Sequence, residues 1–239
     1  MGDATHVVLV HGAWSRGQQW NSARECFEAR GFRVHAPTLR HHQLPLAEGA
    51  PLIARLSLND YVADLVALVR SLSGPVLLVG HSLGALLVQL VAGRTQPVGV
   101  IAASPTSAGP GGLNRTTIAL SVAHARAGRP WARAVLPPRW PLFRRGAAGA
   151  QPEDLARAVY DDLVCESGRV LFFELAAPWL DRRHAAAVDP CSIAAPVLVL
   201  RGSADRMVPA RVARHTASEY RDGTYVEIPG ADHLVFHGA

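Results

Sequence analysis

The chain contains no lysine, and all 24 of its basic residues are arginine. That absence excludes a Walker A phosphate loop, Schiff-base chemistry and pyridoxal phosphate chemistry, each of which needs a lysine amine. Cysteine is scarce: Cys26, Cys165 and Cys191 stand far apart. An odd number without paired spacing argues against a disulfide framework and a cysteine zinc site, and it fits a reducing compartment. No apolar run approaches the ~18 residues of a membrane span. The first residues carry no basic, signal-like segment, so a cytoplasmic location is expected. Charged residues make up only 18% of the chain, too few for a disordered one. Repeats and low-complexity blocks are missing, which argues against a solenoid. The net charge of +5 comes from scattered arginines, the densest being Arg144-Arg145 and Arg182-Arg183. That scatter does not make a nucleic-acid footprint, and neither nucleic acid nor membrane is an expected partner.

What is present is 239 residues, 49% of them hydrophobic. That is enough for one domain with a sizeable core, or one domain with a lid-sized insertion. Short β-branched runs alternate with helical patterns. Strands are predicted at His6–Val10, Phe32–Ala36, Val76–Val79 and Val98–Ala102. Helices are predicted over Gly17–Arg30, from an Asn59-Asp60 cap to about Leu72, and over Leu83–Ala92. This rhythm means a mostly parallel sheet with helices on both faces. It fails over residues 104–194, where no convincing buried strand is found. Helices are predicted there over Leu113–Ala127, Pro152–Glu166 and Gly168–Leu180. It resumes with a strand at Val197–Leu200, a helix near Ala210–Tyr220 and a strand at Thr224–Ile228.

Gly80-His81-Ser82-Leu83-Gly84 lies between a predicted strand and a predicted helix. In that context the G-x-S-x-G pattern is a nucleophile turn: the glycines allow close approach, and the serine hydroxyl projects above the sheet. A nucleophilic serine needs a base and a group that orients the base. His233 follows the last predicted strand, and Asp205 follows the strand before it, in Gly202-Ser203-Ala204-Asp205. All three would sit at carboxyl ends of parallel strands, where open α/β sheets build their sites. Asp232 is the rival acid and His237 the rival base. Two backbone N–H groups are needed for an oxyanion. One is expected from Leu83; the other comes from His11-Gly12-Ala13-Trp14, with Ala13 first and Trp14 second. His11 is expected to support that loop by hydrogen bonding.

These four motifs, in this order, resemble the α/β-hydrolase-fold serine hydrolases. Their HGAW and GHSLG forms resemble lidded small-molecule esterases, including plant methyl-ester hydrolases and hydroxynitrile lyases. The resemblance implies an α/β-hydrolase core formed by residues 1–103 and 195–239, with residues 104–194 as a helical cap. Two departures stand out. The chain opens directly on the strand before His11, without the antiparallel strands that usually begin the core. Little follows His233, so the family's C-terminal helix is expected to be truncated, leaving one sheet face partly bare. A second subunit could cover it, as a homo-oligomer.

The expected substrate contacts are Trp14, Arg40, His81 and Trp179. Arg40 follows a strand end and could pair with a substrate carboxylate or phosphate, or simply be solvated. The aromatics of the 104–194 segment, at helical spacing, read as core more readily than as pocket. His41-His42 has no carboxylate at ligand spacing, and no metal or organic cofactor is expected. The overall expectation is a serine hydrolase of an ester, thioester or lactone of a small apolar substrate. Two alternatives are acyl transfer, cyclisation or perhydrolysis by the same triad, and a non-catalytic receptor on the same fold. A lyase of the related type uses an added lysine, which this chain lacks.

Overall fold

The computed structural model describes residues 4–108 and 129–237. Six strands form one wholly parallel sheet: β1 (His6–Val10), β2 (Arg33–His35), β3 (Val76–His81), β4 (Gly99–Ala103), β7 (Val197–Gly202) and β8 (Gly223–Ile228), in the order β2-β1-β3-β4-β7-β8. Val8 pairs with Leu78, Leu78 with Val100, and Val100 with Val197. That register carries one apolar row across the sheet. The strands read as continuous apolar runs because a parallel sheet is buried on both faces.

Side chains alternate between those faces. Val8, Val10, Leu78, Val100, Val197 and Val199 point to helices α3 (Leu58–Ser71), α4 (Leu83–Thr95) and α7 (Ala210–Ser218). Val7, Leu9, Val34 and Val79 point the other way, onto Trp20 and helix α1 (Asn21–Glu28). That second face is less covered toward its far side: Ile101, Leu198, Leu200 and Ile228 are half-buried and Val226 is exposed. No helix follows β8 among the described residues.

Local chemistry explains the helix limits. Helix α3 is capped by Ser57, not by the Asn59-Asp60 pair that sequence suggests. The Asn59 amide donates to Ser57 Oγ at 3.3 Å, and the Ser57 amide donates to Asp60 Oδ2 at 2.8 Å. Asp60 therefore acts three residues inside the helix, as the second half of a capping box. The helix buries Tyr61, Val62, Leu65 and Val69, each worth about 1.5–3 kcal/mol when fully buried. Helix α2 (Leu46–Ile53) has no counterpart in the sequence reading, because Gly49 and Pro51 lie inside it.

The intervening segment differs from its expected form. It contains α5 (Trp140–Gly146) and α6 (Glu153–Asp161). The helix expected to run to Glu166 stops at Asp161, and Glu166 opens a strand instead. Two two-residue strands, the half-buried β5 (Ala134–Val135) and the buried β6 (Glu166–Ser167), pair antiparallel, where no strand is predicted. The helix predicted over Gly168–Leu180 is a π-helical turn at Val170–Leu175 and a 3-10 turn at Pro178–Leu180. The predicted Leu113–Ala127 helix lies outside the described residues. No helix among the described residues is long and apolar enough to cross a membrane.

Candidate active site

Strand β3 ends at His81, and α4 begins at Leu83. Ser82 between them has φ 54° and ψ −115°, a left-handed backbone that costs a non-glycine residue about 1–3 kcal/mol. The neighbouring glycines make the turn sterically feasible. A Cβ on Gly80 would fall 2.2 Å from the Gly84 carbonyl oxygen, and one on Gly84 would fall 2.1 Å from that of Val10. The Ser82 amide is anchored on the Ala103 carbonyl at 2.9 Å. Its hydroxyl lies 3.4 Å from Thr106 Oγ1. Thr106 went unnoticed in the sequence; its only signal is that it follows β4, the strand beside the turn.

Asp205 and His233 come from adjacent strand ends and meet at 3.0 Å, Oδ2 to Nδ1. Both are buried. The second carboxylate oxygen of Asp205 accepts the Met207 and Val208 amides at 2.7 and 2.9 Å. Burial pushes this carboxyl upward, but His233, the Val208 amide and Ser104 outweigh it, leaving a pKa of about 2. Because the carboxylate only accepts, the His233 Nδ1 carries the proton of that bond, and Nε2 is the ring nitrogen outside it.

The rest of the surroundings is built from histidines that stay neutral. His81 Nε2–H donates to the His233 carbonyl at 2.7 Å, and the two rings lie 4.7 Å apart. Burial, reinforced by His233, lowers the His81 pKa to about 3. His11 accepts the Leu39 amide on Nε2 at 3.0 Å and faces the Gly12 carbonyl with Nδ1 at 2.8 Å. Those partners require a neutral ring protonated on Nδ1. Burial, then the neighbouring His42, lowers its pKa to about 3 as well. The sequence expectation that His11 supports its loop holds in this geometry.

A cleft enclosing about 580 Å³, part of it open to solvent, joins these groups. Gly12, Ala13, Trp14, His81, Ser82 and His233 form one side. Pro138, Leu142, Phe143, Val159 and Leu163 come from the 104–194 segment and make the other side apolar. The Ala13 and Leu83 amides make no hydrogen bond among the described residues. Leu83 opens α4, where first-turn amides point outward with the positive end of the helix dipole.

Two expected substrate contacts lie elsewhere. Arg40 is held by Asp64, through Nε at 2.8 Å and a second guanidinium bond, on the exposed surface. Its charge is already matched, and it does not line the cleft. Trp179 is 67% exposed and also outside the cleft lining. Trp140, Phe143 and Tyr160 instead pack together, with Arg157 over the Trp140 ring at 3.7 Å. Of the expected contacts, Trp14 and His81 line the cleft. Asp232 is not joined to His233's ring. Its carboxylate accepts the Ala150 amide, the Gln151 side chain and the Leu234 amide.

A parallel sheet with a strained serine at the end of β3 and an Asp–His pair at the ends of β7 and β8 defines a class of α/β protein. Residues 7–238 match the alpha/beta hydrolase family, and the chain belongs to it. A pyrethroid hydrolase of Sphingobium wenxiniae is 35% identical over 80 residues, which cover 34% of this chain and 28% of that protein's length. Among solved structures, a monoacylglycerol lipase of Paleococcus ferrophilus superposes with a TM-score of 0.70 at 24% identity, covering 99% of this chain and 90% of the other. A methylesterase from Arabidopsis gives a TM-score of 0.71 at 17% identity, covering 98% and 92%.

Proposed function

We propose that this protein is a serine hydrolase that cleaves an ester, thioester or lactone with an apolar acyl or alcohol portion. The observation that carries this reading is the buried His233–Asp205 bond opening on the same cleft as Ser82. The strained backbone at Ser82 adds to it, since such strain persists where the surroundings enforce it. The names of the similar proteins point the same way.

In this reading Ser82 Oγ leaves Thr106 and attacks the carbonyl carbon. His233 Nε2 takes the serine proton, and Asp205 stabilises the charged ring through Nδ1–H. The amides of Ala13 and Leu83 receive the oxyanion. His233 then protonates the leaving group, which departs and leaves an acyl-serine. A water, deprotonated by the same nitrogen, attacks the acyl carbon and returns Ser82. Phe143, Leu142, Val159 and Leu163 favour apolar substituents, because the cleft offers few groups for satisfying a buried polar one. Residues 104–194 act as the cap, with 1–103 and 195–239 as the core. Free Cys26 and Cys191, both exposed, support a reducing, cytoplasmic setting.

The test is intact mass after a fluorophosphonate probe, on wild type and Ser82→Ala. One adduct on wild type and none on the variant is expected. A folded wild type that stays unlabelled overturns the hydrolase reading in favour of a non-catalytic receptor. Product analysis with competing alcohols separates hydrolysis from acyl transfer.

A further inference from the structure

A buried polar cluster lies outside the proposed chemistry. Glu166, on the cap strand β6, has no exposed surface and does not line the cleft. Its Oε1 accepts Tyr61 OH at 2.7 Å and the Ser167 amide at 2.7 Å, and its Oε2 faces His42 Nε2 at 3.2 Å. His42 is equally buried, and its Nδ1 faces the Arg40 carbonyl at 3.1 Å. A carbonyl and a carboxylate are both acceptors, so both ring nitrogens carry protons. Two core elements, the turn at Leu39–His42 and helix α3, thus grip one cap carboxylate.

What this turn does is visible at its other end. The His42 amide closes it on the Leu39 carbonyl at 3.0 Å, and the Leu39 amide donates to His11. His11 Nδ1–H then holds the Gly12 carbonyl. That carbonyl and the Ala13 N–H belong to one planar trans peptide and point in opposite directions. Fixing the oxygen therefore aims the N–H. The same loop is braced a second time by Val135 of β5 and by Val164, just before β6. The Val164 amide donates to the Trp14 carbonyl at 2.7 Å, and the Trp14 indole donates to the Val135 carbonyl at 3.0 Å. Trp14 has φ 63°, a left-handed backbone that relaxes unless it is held.

We propose that Glu166 and His42 are positioning residues for the oxyanion hole: their buried ion pair locks the cap sheet to the turn that orients His11, and so aims the Ala13 amide. This inference rests on the hydrolase reading and extends it from the cleft to a remote cap residue. The oxyanion loop and cap sheet then form one unit, and loosening the cap at β6 misaims a catalytic donor without touching substrate.

The groups facing the pair are consistent with its charges. Tyr61 from α3 and Cys165 beside Glu166 are pushed up by burial first and Glu166 second, so both stay neutral. His11 from the β1 loop is neutral. The Arg16 Nε–H donates to the His42 carbonyl at 3.1 Å. Asp60 lies within electrostatic reach of Tyr61.

The test compares Glu166→Gln with wild type, both as folded full chains at pH 7. Glutamine keeps an acceptor for Tyr61 and Ser167 but removes the charge. The maximal rate of fluorophosphonate labelling is expected to fall about ten-fold or more with the apparent binding constant unchanged, as for a misaimed oxyanion donor. A merely structural role would lower the melting temperature and leave that rate alone. Equal maximal rates in a labelled wild type and variant overturn this inference and leave the hydrolase reading standing. An unlabelled wild type overturns both. Should the variant not fold, nitrogen-15 spectra of wild-type His42 decide. Protons on both ring nitrogens are expected, and a single protonated nitrogen overturns the ion pair.

Discussion

The Asp232 carboxylate accepts the side-chain amide of Gln151 at 2.9 Å, which ties the residue next to His233 to the 104–194 segment. The same carboxylate takes the Ala150 amide at 2.8 Å and the Leu234 amide at 3.0 Å. Leu234 and Met207, neighbours of His233 and Asp205 in the chain, pack with Phe143, Ala147 and Val159 of the same segment. The loops that bear the proposed base and acid are therefore seated against that segment as well as against the sheet.

Asp232 and Asp205 make opposite predictions on conversion to the amide. All three partners of Asp232 are donors, so Asp232→Asn must set its own NH₂ against at least one of them. The expected cost is about 1–3 kcal/mol of stability, with kcat/KM for a p-nitrophenyl ester lowered by no more than about ten-fold. Asp205→Asn removes the acceptor that orients His233, and kcat should fall by about 10⁴-fold. Urea unfolding and steady-state kinetics on both variants check this. A larger kinetic loss from Asp232→Asn would make Asp232 the working acid.

How far these features were legible in the sequence depends on how local their signals are. The strands announce themselves as buried apolar runs, and Ser82 by glycines two residues either side. Asp205 and His233 follow from strand ends, because a parallel sheet collects those ends on one edge. The small sheet of β5 and β6 carries no such signal. Each strand has only two residues, and β6 is Glu-Ser, polar residues buried because Tyr61, His42 and Leu56 satisfy them. His42 read as half of a weak histidine pair, since its carboxylate partner lies 124 residues away. Arg40 looked poised at the rim because its mate, Asp64, sits on a different element. In each miss the deciding partner is distant in sequence, where no periodicity or spacing reports it.

The buried neutral histidines set the acid limb of stability. His11 and His81 each have a folded pKa of about 3 against the ordinary histidine value of 6.5. Between those values the unfolded chain binds two protons that the folded chain does not. Stability from these two groups is fully present above pH ~6.5 and is lost as pH falls toward 3. The slope expected for two protons is about 3 kcal/mol per pH unit. Asp205, lowered from 3.8 to about 2, adds a further loss of about 2 kcal/mol between pH ~4 and ~2. Urea melts from pH 7 to pH 4 measure the first slope. A slope half as steep would mean that one of the two rings is protonated in the folded protein, and a stability independent of pH that both are.

Arg201 closes the acid loop from behind, and its replacement should separate geometry from charge. The guanidinium is buried. Nε–H donates to the Val208 carbonyl, one Nη to the Asp205 carbonyl and the other to Glu227 Oε2, each at 2.8 Å. The first two bonds fix both ends of the turn whose amides hold the Asp205 carboxylate. Arg201→Met leaves those carbonyls without donors in a buried place, at about 1–3 kcal/mol each. The turn should loosen, kcat should fall about ten-fold, and KM should hold, since Arg201 does not line the cleft. Arg201→Lys keeps the charge but not the three-way fork, and a single ammonium cannot span both carbonyls and Glu227. Lysine is therefore expected to restore little of the rate. Full rescue by Arg201→Lys, read from kcat and the melting temperature together, would show that positive charge near Asp205 matters and the fork does not.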